Sequence, residues 1–130
     1  MNKIEEKFVD ALGKLEADEN VDEMINLFAA DCEIGNVATH ENMRGTDGAR
    51  QFWTNYRKTF GEIKSTFKNK IVSDGTAALE WTSKGTSANG SKIDYEGVSI
   101  LEIEGDKISR FFAYFNPAKL GREIEEKKSA

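Results

Sequence analysis

Apolar residues recur at helical spacing in the first part of the chain and at alternate positions in the second. Ile4, Phe8, Leu12 and Leu15 fall on one stripe, with Val9 and Ala11 beside it. Glu5, Glu6, Lys7, Asp10, Lys14 and Glu16 fill the remainder, so the spacing predicts an amphipathic helix with one buried face. Asn20-Val21-Asp22-Glu23 reads as a capped helix start, with an acid three residues past the cap. Val21, Met24, Ile25 and Phe28 give this second helix its apolar side, and it ends by about Ala30. Asp31 to Asn36 reads as a short strand, and Ala38 to Arg44 as a loop that holds His40. Gly45-Thr46-Asp47-Gly48 is a turn whose Thr46 or Asp47 caps a third helix carrying Ala49, Phe52, Trp53, Tyr56 and Phe60. That aromatic load must lie on a sheet or a cavity.

From Gly61 the period changes to two. Ile63, Ser65, Phe67, Asn69 and Ile71 alternate with polar residues, and Ala77, Leu79, Trp81 and Ser83 do the same after a turn at Ser73-Asp74-Gly75-Thr76. Ser87-Ala88-Asn89-Gly90 is a hairpin signal, because Asn-Gly takes the positive φ that tight turns need. A long strand follows from Lys92 to Ile103, then a turn at Glu104-Gly105-Asp106, then a last strand from Lys107 to Pro117. Three helices followed by a meander of antiparallel strands define a single α+β domain over residues 1–130. Leu120 and Ile124 anchor a short terminal helix, or the charged tail frays.

Composition narrows the partners. A net charge of -5 disfavours nucleic acid, which needs a basic surface. Lys64, Lys68 and Lys70 read as a solvated strand edge that blocks aggregation. No stretch approaches a membrane span, and the acidic N-terminus lacks a signal-peptide core, so the expected setting is cytoplasmic with no membrane partner. The single cysteine, Cys32, excludes an internal disulfide and reads as a small buried hydrophobe rather than a nucleophile.

Three segments in order carry a resemblance. Phe28-Ala29-Ala30-Asp31-Cys32-Glu33-Ile34, Arg44-Gly45-Thr46-Asp47-Gly48-Ala49-Arg50-Gln51-Phe52 and Ala113-Tyr114-Phe115-Asn116-Pro117 together resemble the nuclear transport factor two-like superfamily. Within it, they resemble most the SnoaL-like polyketide cyclase and ketosteroid isomerase group. The resemblance implies a cone-shaped (cystatin-like) fold of three N-terminal helices on a strongly curved antiparallel sheet. It also implies an apolar internal pocket and a homodimer packed through the sheet. The departures bear on activity. The family's Tyr-Phe-Asp ending supplies the acid/base of SnoaL-type cyclases, and here that position is Asn116. The base of ketosteroid isomerase lies five residues after the position matching Asp31, and here that position is Asn36. The first-helix Tyr of its oxyanion hole has no counterpart near Leu12. Asn does not titrate in the useful range, whereas general base catalysis needs a group that does.

The candidate site is therefore a ligand pocket lined by Trp53, Tyr56, Phe60, Trp81, Tyr95, Phe112, Tyr114, Asn116 and Asn36. Arg110 shares strand parity with Phe112, Tyr114 and Asn116, which are expected to face inward together. The competing reading of the aromatics is a filled core, and of Asn116 a cap before Pro117. The expected partner is a small hydrophobic or aromatic molecule, with no cofactor. One alternative is an isomerase, cyclase or dehydratase-type lyase that uses another acid/base, His40 or Glu80. Another is a protein-interaction module that uses the outside of the sheet. His40 with Glu41 has no further ligand at metal spacing, so no metal site is expected.

Overall fold

The computed structural model describes residues 3–39 and 41–129. Helix α1 (Ile4–Asp18) and the single-turn α2 (Asp22–Ile25) precede strand β1 (Phe28–Asn36). The short β2 (Met43–Arg44) leads into α3 (Gly45–Lys58). The meander follows as β3 (Phe60–Ser73), β4 (Thr76–Ser87), β5 (Lys92–Glu104) and β6 (Lys107–Phe115), and α4 (Pro117–Ser129) closes the chain. One six-stranded sheet has the order β2-β1-β6-β5-β4-β3. Its pairs are antiparallel except β1 with β6, which run parallel. The α+β class and the curved sheet agree with the sequence reading.

Three boundaries differ from expectation. The second helix stops at Ile25, and Phe28 to Ala30 are already extended. Phe28, Cys32 and Ile34 are buried at even positions, and Ile108 N–H donates to the Leu27 carbonyl, so pairing with β6 outweighs helix propagation. Neither Thr46 nor Asp47 caps α3; the residue before the helix is Arg44, without a side-chain cap. Asp47 instead places a negative charge in the first turn, where the helix dipole favours it. Phe60 lies beyond α3 and opens β3.

The sheet wraps because its long strands are bulged. Register shifts interrupt β3 between Phe60 and Ile63 and again between Phe67 and Asn69, and β5 against β6 at Glu102 and Ile103. Bulges bend a strand and raise its twist. At the first bulge, β3 passes so close to β4 that a Cβ on Gly85 would fall on the Glu62 carbonyl.

The inner face carries two apolar clusters. One joins α1, α2, β1 and α3 through Phe8, Leu15, Phe28, Phe52, Trp53 and Phe111. The other joins Phe60, Ile63, Trp81, Ile93 and Tyr95, with Leu120 and Ile124 of α4 against it. Tyr56, Phe67 and Phe115 pack against both. No helix among the described residues is long and apolar enough to cross a membrane.

Gly85→Ala is expected to lower stability by about 2 kcal/mol, because backbone rather than a movable side chain blocks the new methyl. Gly13→Ala, with open space around it on α1, is expected to stabilise by up to about 1 kcal/mol. Denaturant midpoints at constant m check both signs.

Candidate ligand-binding cavity

Between the two clusters the inner face does not close. A cavity of about 410 Å³ remains, bounded by α1 and α3 on one side and by β3 to β6 on the other. Phe8, Phe52, Trp53 and Phe111 form its deep apolar end, and Phe60, Trp81, Tyr95 and Phe115 the opposite wall. The rings meet edge to face, as their quadrupoles prefer: Trp53 with Tyr56 at 5.5 Å, Trp81 with Tyr95 at 5.1 Å, Tyr95 with Phe115 at 5.5 Å. The solvent-exposed lining residues Ala38, Asn55, Pro117 and Gly121 mark the mouth, between the loop after β1, the end of α3 and the start of α4.

The terminal helix is part of this wall. Leu120 and Ile124 line the cavity. The Ile124 carbonyl accepts from Asn89 and Ser91 of the β4–β5 hairpin, and Glu123 accepts from the Asp94 N–H. Of the two readings of the tail, the helix is the one formed.

The polar groups gather at one place. Glu16 of α1 is only 6% exposed, and no cation among the described residues pairs with it. Its Oε2 accepts from the Tyr56 hydroxyl at 2.7 Å and the Ser65 hydroxyl at 2.6 Å, and its Oε1 from the Ser65 N–H at 2.9 Å. Ser65 Oγ and Ser83 Oγ are 2.6 Å apart. Tyr56, Ser65 and Ser83 line the cavity, so the carboxylate stands one hydrogen bond behind its wall. Burial, then the Glu16 charge, pushes the Tyr56 phenol well above its ordinary range. Burial, then Glu16 and Glu123, does the same to Tyr95. Elsewhere, Trp81 Nε1 donates to Ser99 Oγ at 3.0 Å, and the buried Trp53 Nε1 has no acceptor among the described residues.

Glu16 escaped the sequence reading, which placed it on the polar side of α1. The signal was present: it extends the Ile4, Phe8, Leu12 ladder by one more step of four.

Of the residues expected at the site, Trp53, Tyr56, Phe60, Trp81, Tyr95 and Asn36 lie on the cavity wall. Asn36 spends its side-chain oxygen on the N–H groups of Ala38 and Thr39, which holds the turn at the mouth. Phe112, Tyr114 and Asn116 do not line the cavity. Phe111, Ala113 and Phe115 oppose Leu101, Ser99 and Gly97 on the inner face, so Arg110, Phe112 and Tyr114 take the outer one. Both parities of β6 are aromatic, and alternation alone does not choose between them. Phe112 packs against Tyr114 with the rings tilted and their centroids 4.8 Å apart, and Arg110 lies over Phe112. Asn116 is exposed and caps α4, its Oδ1 accepting from the N–H groups of Ala118 and Lys119. Glu80 also faces outward, held by Asn69 at 2.6 Å. His40 lies outside the described residues. Cys32 is fully buried, and burial pushes its thiol up, away from thiolate chemistry. Among the described residues no cluster of His, Cys, Asp and Glu is arranged to hold a metal ion.

A helical layer against one curved sheet, with an aromatic cavity between them, defines the nuclear transport factor two-like, ketosteroid isomerase-like class. The solved structures agree with this. TerC, co-crystallised with polyporic acid, superposes with a TM-score of 0.81 at 15% identity over 94% of this chain and 98% of its own. A ketosteroid isomerase-like fold from Catenulispora acidiphila, in complex with trimethylamine, gives 0.79 at 16% identity over 91% and 92%. An LEH-like epoxide hydrolase of M. tuberculosis gives 0.71 at 13% over 94% and 90%. The SnoaL-like domain model matches residues 6–111, and the chain belongs to that family. Among curated proteins, none matches the chain.

Asn116→Ala is expected to cost about 1 kcal/mol, the usual loss of an N-cap, while Asn116→Asp keeps the cap. Because residue 116 points away from the cavity, the Asp variant is expected to gain no proton-transfer activity. Thermal denaturation and a ketosteroid isomerisation assay of both variants check this.

Proposed function

We propose that this protein binds a flat, largely apolar or aromatic small molecule inside the cavity. The observation that carries the reading is the open volume itself. Well-packed interiors leave few voids larger than a water molecule. Here about 410 Å³ stays open although large aromatic side chains surround it. That size falls within the range of ligand pockets, about 300–1,000 Å³. Co-crystallisation of TerC with polyporic acid supports an organic ligand in this fold. The asparagines at the family's acid/base positions favour binding over turnover, since Asn36 lies at the mouth engaged in a turn and Asn116 lies outside.

A second reading is an isomerase, cyclase or dehydratase-type lyase. The specific observation favouring it is Tyr56, a cavity phenol hydrogen-bonded to the buried Glu16. Glu80, which faces outward, does not support it, and His40 lies outside the described residues.

The outer sheet face bears on assembly. Ile71, Ala78, Ile100 and Phe112 fall in register across four strands, with Val98 and Tyr114 beside them. Ile71 is 66% exposed and Tyr114 48%. Both charge signs flank this strip, with Arg110 between Glu33 and Glu102 at one end and Lys84 opposite Asp94 at the other. A strip that is apolar and carries both signs is self-complementary, and we propose a homodimer of this chain through it.

Titration with 2-naphthol is expected to quench Trp53 and Trp81 fluorescence saturably, and recovery of the ligand unchanged by mass spectrometry favours binding over the enzyme reading. Absence of binding across a panel of aromatic compounds sinks the proposal. For assembly, sedimentation velocity is expected to give a dimer that Tyr114→Glu converts to monomer; a wild-type monomer removes the homodimer.

A further inference from the structure

The hydrogen atoms at the polar end of the cavity can be assigned one by one. This step rests on the cavity being a binding site. An ionised carboxylate only accepts hydrogen bonds. The convergence of Tyr56 Oη, Ser65 Oγ and Ser65 N on Glu16 is what such a group requires. The Tyr56 and Ser65 hydroxyl hydrogens are therefore both spent on Glu16. With its own hydrogen used, Ser65 Oγ acts as acceptor in the contact with Ser83, so the Ser83 hydrogen points to Ser65. The chain runs Ser83 to Ser65 to Glu16, with Tyr56 joining from the side. Every hydrogen in it points away from the cavity and toward the carboxylate.

The cavity wall is left with lone pairs on Ser83 and Tyr56 and no hydrogen to offer there. Donors lie elsewhere on the wall. Ser99 Oγ accepts from Trp81 Nε1 and keeps its own hydrogen, and among the described residues no hydrogen bond engages the Tyr95 hydroxyl, which lies on the cavity wall. Tyr95 sits directly across the strand pair from Ser83. Acceptors and a free hydroxyl thus stand side by side in an apolar surround.

We infer that this end of the cavity recognises a hydroxyl group of the ligand, a phenol, enol or alcohol, which donates to Ser83 and accepts from Tyr95. A ketone of the same shape only accepts, so it leaves the Ser83 oxygen unmatched. A buried polar group without a partner is the costly outcome. Glu16 sets this preference without touching the ligand; it is a positioning residue.

The test uses the full chain and two probes of matched ring system, 2-naphthol and 2-acetonaphthone, by isothermal titration calorimetry. Wild type is expected to bind the naphthol about tenfold more tightly, the ratio that one net hydrogen bond gives. Glu16→Gln keeps the shape but supplies an amide that donates to Tyr56 and Ser65. That reverses the chain and frees hydroxyl hydrogens toward the cavity, so the preference is expected to fall below about twofold or to invert in favour of the ketone. Should Glu16→Gln fail to fold, Ser83→Ala removes the acceptor and leaves the Glu16 partners in place, with the same loss of preference expected. Equal affinity of wild type for both probes overturns the inference while leaving the cavity as a binding site. An unchanged preference in a folded Glu16→Gln or Ser83→Ala variant also overturns it. No binding of either probe to wild type removes the binding reading itself.

Discussion

A carboxylate buried with no cation among the described residues to pair with it must be met by hydrogen-bond donors, and Glu16 imposes that requirement on everything around it. An unmatched buried charge costs several kcal/mol. The donors that meet it come from α3 through Tyr56 and from β3 through Ser65, and Ser83 extends the link to β4. One side chain on α1 thereby ties the helical layer to the sheet through hydrogen bonds. This arrangement keeps the cavity open. Had position 16 been Leu, the neighbouring helices and strands would gain by closing on it. A polar cluster that must keep its geometry resists that collapse.

The sheet supplies the second condition. A flat sheet would press its aromatic residues against the helices and fill the interior. Here the bulges along β3 and at the end of β5 curl the strands, and small residues let them approach where curvature is tightest. Gly97 shows the coupling. An added Cβ there would come within 2.7 Å of the Trp81 indole, which hydrogen-bonds Ser99 on the cavity wall. The absence of a side chain at 97 thus positions the ring that shapes the cavity. Beyond the second bulge, the far end of β3 leaves the core, and Ile71 and Val72 are both exposed.

The sequence made the helical layer, the meander and its turns legible, because each rests on local periodicity or on a residue that only certain turns accept. Trp53, Tyr56, Trp81 and Tyr95 were legible as a set for the same reason: too many aromatics on inner faces to be elsewhere. Phe112, Tyr114 and Asn116 were misread because β6 is aromatic on both faces. Only its pairing, with Phe111 opposite Leu101, decides which face is inner. The end of α2 was misread because Phe28 satisfies helical and strand spacing equally. Glu16 was missed because an acid on an amphipathic helix is by default solvated, and its donors come from residues 40 and 49 positions later in the chain, a relation no local pattern encodes.

The same cluster bears on the choice between binding and proton transfer. A general acid or base works best when its pKa lies near the working pH. Burial and the Glu16 charge move the Tyr56 phenol away from neutrality, and Tyr95 moves the same way. Both phenols hold their protons tightly, so neither is disposed to exchange one with a substrate. Glu16 could accept a proton only through Tyr56 or Ser65, each of which already donates its hydrogen to it. Such a transfer would need the intervening hydroxyl to pass on its proton and be recharged by the ligand. A network arranged this way orders oxygen atoms well and moves protons poorly. On the proposed reading, its physical chemistry suits the holding of a hydroxylated ring more than its conversion.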